Sequence, residues 1–266
     1  MLGFLFLPVL SPNAPAGTAV IGSLCRASHY SSQVKVMYVI DGDTVKLDSG
    51  ESLRLIGLDT PEIGHEGNAD EPGARAATNY LKSLLLHQAT VPVIFGTEKR
   101  DHYGRLLGHL FLKDGTNIQA LLLAGGYGTP LIMPPNLRFL DCYSATAAAA
   151  IAEKNGIWSY RRYQILKADK LTPAMGGYRR IRGIVARVNE SRSAVWINIG
   201  TYLALRIVRT DLKYFTGVDF SRLKGKTAIA SGLLYRRKGQ ARMRIRHPFD
   251  LQINQDRVNQ AASDKS

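Results

Sequence analysis

Alternation of apolar and polar residues begins at Val34 and predicts β-strands in the first third of the chain. The stretch "QVKVMYVIDGDTVKLDSG" ends in a turn signal, and "ESLRLIGLDTPE" resumes the alternation up to Pro61. Inside the first stretch Asp41 and Asp43 flank a glycine, although carboxylates are depleted in strands. Either Asp-Gly forms a hairpin turn, or both aspartates lie on one strand face against a positive charge.

Helical periodicity follows in three places. It is typical of helices in "EPGARAATNYLKSLLLHQ", in the stretch that stops at Gly125-Gly126, and in "PNLRFLDCYSATAAAAIAEKNGIWSY". Short strands are predicted in "TVPVIFG" and "GRLLGHLFL", and the polar, glycine-containing "IGHEGNADEPG" predicts a loop. The first part of the chain is therefore expected to be α+β.

The sequence pattern changes after the third helix. The stretch "KADKLTPAMGG" indicates a linker, and five short β-runs follow it, with a helical or irregular insert between the third and the fourth. This order predicts a second, five-stranded barrel of the oligonucleotide/oligosaccharide-binding type. The expected division is a linker at 161–176, a basic barrel at 177–255 and a tail at 256–266.

Positive charge is concentrated in the C-terminal part. Residues 161–266 hold 23 Lys and Arg against 7 Asp and Glu, whereas residues 1–160 hold 12 against 14. An excess confined to one part indicates a polyanionic partner, with simple solubility as the alternative.

The first 33 residues suggest export. An apolar run of about ten residues is too short to span a bilayer, and it precedes an Ala14-x-Ala16 pattern typical of signal-peptide cleavage, with a second possible site at "CRAS". No Lys or Arg precedes the run, so a disordered tail or a wrongly assigned start codon remains the alternative. Cys25 and Cys142 are the only cysteines, so neither a disulfide framework nor a cysteine metal site is expected.

Several polar residues interrupt the strand patterns between residues 41 and 105. Each one alone could serve a turn or a surface ion pair. Together they supply carboxylates for Ca²⁺ or Mg²⁺, arginines that bind phosphate oxygens with two donors, and a further carboxylate that can accept a proton from water. These are the groups that phosphodiester hydrolysis requires. The residues are Asp41, Asp43, Arg54, Asp59, Thr60, Glu62, Asp101, Tyr103 and Arg105.

The ordered motifs IDGDT, R-x₄-DTPE and DHYGR resemble the thermonuclease (staphylococcal-nuclease-like) family over residues 34–160, as does "EKNGIWSY". The resemblance implies a small five-stranded β-barrel with three helices. It implies that Asp43, Asp59 and the main-chain carbonyl of Thr60 bind Ca²⁺ or another hard divalent cation. Glu62 then corresponds to the proposed general base.

The resemblance also assigns the phosphate contacts. Arg54 and Arg105 match the two arginines that bind the phosphate, and Tyr103 matches a tyrosine near the terminal phosphate of the nucleotide. Three features depart from the family pattern. His102 stands where a lysine is frequent, the loop after Glu62 is acidic, and aliphatic residues 131–133 stand where stacking aromatics are expected.

The last β-run carries arginines at every second position. Arg242, Arg244 and Arg246 are therefore expected on one face of a strand, where they could bind nucleic acid or merely protect a solvated sheet edge. Trp196, Tyr202 and Tyr235 are candidates for base stacking.

The prediction is a monomeric, exported, metal-dependent nuclease with no membrane span, acting on DNA, RNA or both. One alternative is a non-catalytic nucleic-acid-binding or scaffold protein. Another is a barrel that binds a protein or an anionic cell-wall polymer. The sequence leaves open the choice between DNA and RNA, and between endonucleolytic and exonucleolytic cleavage.

Overall fold

The computed structural model describes residues 25–64, 67–86 and 88–254. The apolar run, its Ala14-x-Ala16 pattern and the expected tail at 256–266 lie outside these residues. The strands are β1 Ser32–Val34, β2 Val36–Val39, β3 Thr44–Leu47, β4 Ser52–Leu55, β5 Gly57–Asp59, β6 Val91–Arg100, β7 Leu106–Leu110, β8 Thr129–Leu131, β9 Ile165–Lys167, β10 Gly177–Glu190, β11 Ala194–Ile199, β12 Leu203–Val208, β13 Thr227–Arg237, β14 Gln240–Arg244 and β15 Leu251–Asn254. The helices are α1 Ala74–Leu85, α2 Ile118–Ala124 and α3 Leu140–Glu153.

The first part is α+β, as expected, with a curled six-stranded sheet in the order β1-β6-β7-β4-β3-β2. Three helices cover it, and a small pair of strands, β5 and β8, lies apart from the sheet. Strand β1 pairs with β6, so residues just before Val34 are part of this body and not only a tail.

Of the two alternatives for "VIDGDTVKL", the structure shows the hairpin turn. Strands β2 and β3 form an antiparallel hairpin in which Val39 pairs with Val45, and the residues between them make the turn. The Asp-Gly hairpin alternative therefore describes the backbone.

Helix α1 packs small side chains against the sheet. Helix α1 buries Ala74, Ala77, Thr78 and Leu81 on one face, which is the periodicity seen in its sequence. Helix α2 begins at Asn117, whose side chain accepts a hydrogen bond from the Ala120 N–H, and it ends at Gly125 as predicted.

Cys25 and Cys142 form a disulfide, which corrects the expectation that the chain has no disulfide framework. Their Cα atoms are 5.7 Å apart and 117 residues separate them along the chain. The bond ties the segment before β1 to α3. For a loop of this size, the chain-entropy model gives about 4–5 kcal/mol of stabilisation.

The second part closes into a barrel. Strands β10, β11 and β12 are successive antiparallel neighbours, β12 runs parallel to β14, β14 pairs with β13, and β13 returns to β10. Aliphatic side chains of alternate positions, such as Ile181, Ile197, Leu205 and Met243, fill the interior. The expected insert between the third and fourth strands consists of two 3₁₀ segments, Arg209–Tyr214 and Phe220–Leu223.

The expected linker is partly ordered structure that joins the two parts. Strand β9 runs parallel to β10, and a 3₁₀ turn at Arg161–Tyr163 precedes it. The rings of Trp158 and Tyr163 are 5.9 Å apart, and that of Tyr178 in β10 lies 6.2 Å from Tyr163. All three side chains are buried, so the two parts share an aromatic cluster.

Among the helices in the described parts of the chain, none is long and apolar enough to cross a membrane.

Candidate active site

Asp43 lies at the centre of the predicted site. It is 3% exposed, and its Oδ2 accepts hydrogen bonds from the Thr60 N–H at 2.8 Å and the Thr60 hydroxyl at 3.0 Å. Its Oδ1 accepts a hydrogen bond from the Thr44 hydroxyl at 3.0 Å. Since these donors come from β3 and from the end of β5, two different segments fix the carboxylate.

Arg54 joins the two carboxylates that the sequence singled out. Its Nη1 is 3.0 Å from Asp43 Oδ2, and its Nη2 is 2.8 Å from Asp59 Oδ1. Nη1 also donates to the main-chain oxygens of Leu55 and Leu58. Buried in this way, the guanidinium has a fixed plane and sets the spacing of the carboxylates on either side of it.

The turn before Asp43 explains why its glycine is needed. Asp41 Oδ1 accepts the Asp43 N–H at 3.0 Å, so Asp41 stabilises the turn through its own side chain. A Cβ atom on Gly42 would lie 2.6 Å from Thr60 Oγ1 and 2.7 Å from Ala77 Cβ. Only glycine therefore allows the turn to approach both β5 and α1.

The carboxylates of the site carry more negative charge than Arg54 balances. Burial raises the pKa of Asp43 to about 7 against the effect of Arg54, and the charges of Asp41 and Asp59 raise it further. Burial also raises the pKa of Asp59, again opposed by Arg54. The pKa of Glu62 is raised by partial desolvation and then by Asp41 and Asp59. The carboxylates of Asp41, Asp43, Asp59 and Glu62 are therefore close enough for their charges to interact.

This charge imbalance fits a bound cation. Within the described residues, no group of three or more His, Cys, Asp or Glu side chains could hold a metal ion. Asp43 and Asp59 are the two carboxylates that could contact a cation here, together with the Thr60 carbonyl and water. Hard oxygen ligands of this kind suit Ca²⁺ or Mg²⁺, and a cation would supply the positive charge that Arg54 alone does not.

The third motif forms a separate group at the start of β7. Asp101 accepts hydrogen bonds from Arg105 Nε at 2.7 Å and from the main-chain N–H groups of Arg105 and Tyr103. Tyr103 is 74% exposed, with the His102 ring 3.7 Å away and the Arg105 guanidinium 5.4 Å away. Strand β7 pairs with β4, and Leu107 lies opposite Arg54. The third motif, which directly precedes β7, is therefore close to Arg54.

The structure also places the residues that depart from the family pattern. Leu131 ends β8, Ile132 is buried and Met133 is 44% exposed, so an aliphatic surface stands at these positions.

Two residues that contact the site were not predicted. Thr44 donates to Asp43, and its position directly after the aspartate in IDGDT could have indicated this. Glu71 accepts the Glu62 N–H at 3.2 Å through Oε2 and donates its own N–H to the Glu62 carbonyl at 2.9 Å. No sequence signal marks Glu71, because it lies in a loop of several acidic residues.

The predicted arginines of the barrel have different environments. Arg244 Nη2 is 2.9 Å from Asp211 Oδ2, so its charge is already paired. Strand β14 ends at Arg244, so the prediction of a third strand arginine at Arg246 was wrong. Burial, followed by the nearby charge of Arg244, lowers the pKa of Arg246.

Arg242 instead belongs to what we call the tryptophan face, formed by Trp196, Arg206 and Arg242. The guanidinium of Arg242 lies 5.0 Å from the Trp196 ring centroid, and that of Arg206 lies 5.7 Å from it. Trp196 and Arg206 are direct cross-strand partners, and Tyr235 is the partner of Arg242. Tyr235 is 40% exposed and Tyr202 is 47% exposed.

Comparison with known proteins places the first part of the chain in a family. A family model described as "Staphylococcal nuclease homologue" matches residues 52–160. The thermonuclease of Staphylococcus intermedius is 32% identical over 126 residues, which cover 46% of this chain and 74% of that protein. The chain belongs to the staphylococcal nuclease family. The thermonuclease of Staphylococcus hyicus is 31% identical over 129 residues, with 47% of this chain and 75% of that protein covered.

One similar protein is much longer than the region that it shares with this chain. Endonuclease YhcR of Bacillus subtilis is 34% identical over 132 residues, but these are 46% of this chain and only 11% of that protein. The family match includes Arg54, Asp59, Thr60, Glu62 and Arg105, and it ends before the barrel.

Proposed function

We propose that the protein is a metal-dependent nuclease that hydrolyses phosphodiester bonds of DNA, RNA or both. The observation that carries this proposal is the buried cluster in which Arg54 lies between Asp43 and Asp59. The names of the relatives, thermonuclease and endonuclease, support the same activity.

Asp43, Asp59 and the Thr60 carbonyl would bind a divalent cation, Ca²⁺ in our proposal. When bound, the cation would supply positive charge to the scissile phosphate and to the attacking water. Glu62 lies close enough to Asp41 and Asp59 for their charges to raise its pKa, and it would accept a proton from the attacking water.

Arg54 and Arg105 would neutralise the negative charge that builds on the phosphoryl oxygens. Arg54 approaches from the buried side of the cluster. Arg105 approaches from the β7 turn, where Asp101 orients its guanidinium through Nε. Tyr103 and His102, exposed beside Arg105, would contact the nucleotide.

Digestion assays test this proposal directly. Full-length protein is incubated with DNA and with RNA, in Ca²⁺, in Mg²⁺ and in excess chelator. We expect hydrolysis that stops in chelator and returns when Ca²⁺ is added in excess. Hydrolysis at full rate in chelator would contradict the role of the metal. No hydrolysis in any metal, with nucleic-acid binding intact, would support the non-catalytic alternative.

We further propose that the barrel, residues 177–255, is of the oligonucleotide-binding type and holds the polymer. Its connectivity, with a parallel pairing of the third and fifth strands, supports this assignment. The tryptophan face combines an aromatic ring with two guanidinium groups, which suits stacking on bases and contact with phosphates. Trp196 and Arg206 lie on β11 and β12, the second and third strands of the barrel, which are the strands that such barrels use for binding.

Loss of the two arginines of this face should weaken the salt dependence of binding. We expect Arg206→Ser with Arg242→Ser to reduce the slope of log affinity against log salt by about 1.4–1.8, because each phosphate contact contributes roughly 0.7–0.9. We expect Trp196→Ala to cost about 1–3 kcal/mol of binding free energy. The measurement is fluorescence anisotropy of a single-stranded oligonucleotide across a salt series, with Asp43→Asn in every protein to prevent cleavage.

Arg222→Ser is the matched control for this experiment. It removes an exposed arginine of the same barrel that is paired with Asp219, and it should leave the slope unchanged. A slope as steep in the double variant as in the control would show that the tryptophan face does not hold the polymer.

The disulfide supports the proposal of an exported protein, because disulfides persist in oxidising compartments. It requires Cys25, so cleavage of a leader would have to occur before this residue. Mass spectrometry of the protein isolated from its source should find Cys25 bonded to Cys142. Two free thiols in that material would argue against export.

A further inference from the structure

Arg162 connects the loop that follows the active site to a segment outside the nuclease family match. Its Nη2 donates to Glu71 Oε1 at 3.0 Å, across 91 residues of sequence. The other carboxylate oxygen, Oε2, accepts the Glu62 N–H. One carboxylate therefore bridges the main chain of the proposed base and the guanidinium of a residue that follows the nuclease part.

Two sets of hydrogen bonds join the two ends of the loop between Glu62 and Glu71. Glu62 and Glu71 bond through the Glu71 N–H and the Glu62 carbonyl, as well as through the Glu71 side chain. Next to them, the Gly64 N–H donates to Asp70 Oδ1 at 3.0 Å. The position of Glu62 relative to the metal ligands therefore depends on the base of this loop.

Arg162 is itself held by the aromatic cluster between the two parts. Its guanidinium lies 5.3 Å from the Tyr163 ring centroid, and Tyr163 packs against Trp158 and Tyr178. Tyr178 belongs to β10, the first strand of the barrel. A chain of direct contacts thus runs from the barrel through Arg162 and Glu71 to Glu62.

We propose that the Glu71–Arg162 pair is a positioning clamp that fixes the Glu62 main chain for catalysis. Neither residue touches the substrate; both act through Glu62. Through this clamp the barrel contributes to the chemical step as well as to polymer binding. The effect on rate rests on the proposed function of Glu62, whereas the clamp itself can be tested without activity.

A purely electrostatic role and a positioning role of Glu71 and Arg162 predict different changes in kcat. If Glu71 and Arg162 acted only through their charges, removing one negative and one positive charge would change the rate in opposite directions. A clamp requires that Glu71→Ala and Arg162→Ala both lower kcat. We expect a reduction of about 10- to 100-fold for each, the scale of a displacement near 1 Å, with KM within threefold of the wild type.

The double variant and a conservative variant complete the test in the full chain. Glu71→Ala with Arg162→Ala should be no slower than the slower single variant, because both break one interaction. Arg162→Lys keeps a donor for Glu71 and should recover much of the lost kcat. Arg209→Ala, which removes an arginine of the barrel that is paired with Glu190 and bonds no residue of this loop, should leave kcat unchanged.

Amide hydrogen exchange of the metal-free protein gives a readout that does not need activity. In both single variants we expect faster exchange at Glu62 and Glu71, and no change there in Arg209→Ala. Unchanged exchange at these two amides would overturn the clamp even if the protein is a nuclease. Opposite effects of the two single variants on kcat, or a raised KM for Arg162→Ala alone, would also overturn it. If the wild type has no nuclease activity, the exchange result still decides on the clamp.

Discussion

Substituting asparagine for Asp43 is expected to reduce phosphodiester hydrolysis by at least about a thousandfold while the protein stays folded. The amide retains an oxygen that can accept the Thr60 N–H, but it removes the negative charge that would bind the cation. Folding should survive because burial already raises the pKa of Asp43, and because Arg54 keeps its contact with Asp59.

Two measurements check this expectation. Oligonucleotide hydrolysis gives kcat, and the rise in thermal stability on adding Ca²⁺ reports binding independently of activity. At a hundredfold excess over Kd, a bound ligand stabilises the folded state by about 2.7 kcal/mol, and this gain should disappear in Asp43→Asn. Asp41→Asn, which preserves the turn-forming oxygen, should lose far less activity. Equal Ca²⁺ stabilisation in Asp43→Asn and the wild type would exclude Asp43 as a ligand.

The second large effect concerns Arg105. We expect Arg105→Lys to lower kcat by at least about a hundredfold, since lysine keeps the charge but lacks the planar pair of donors. Lysine also has no equivalent of the Nε–H that bonds Asp101, so the side chain would lose its orientation. The measurement is steady-state kinetics on a short oligonucleotide, so that the barrel contributes little to binding.

Arg100→Lys is the matched control for Arg105. Arg100 lies on the same hairpin, is 53% exposed, and bonds Glu51 and the Gly104 carbonyl. Lysine keeps a charged donor for these oxygens, so the substitution should leave kcat unchanged. If Arg105→Lys stays within threefold of the wild type, then the Arg105–Asp101 pair is only a surface ion pair.

The local motifs predicted most of the candidate site. Asp59 and Thr60 adjoin within one motif, and Arg54 lies five residues before Asp59, so short-range backbone geometry already brings them together. Helix α2 likewise ends at the predicted glycines. The roles of these residues in catalysis, the metal they bind and the monomeric state stay predictions.

The sequence was ambiguous or misleading where a pattern has two structural solutions. The alternation in "VIDGDTVKL" suits one strand or a hairpin, and only the pairing of β2 with β3 decides between them. Arginine at every second position suits a continuous strand, but β14 ends at Arg244 and the insert supplies Asp211 as its partner.

The sequence by itself determined the order of the motifs, the family, the α+β character of the first part and the excess of charge in the second. These properties depend on neighbouring residues or on composition. Only the tertiary structure joined Cys25 to Cys142, Glu71 to Arg162 and Trp196 to Arg242. Each of these contacts links residues that are distant in sequence, and their proximity results from the packing of separate strands and loops. No local pattern encodes that packing.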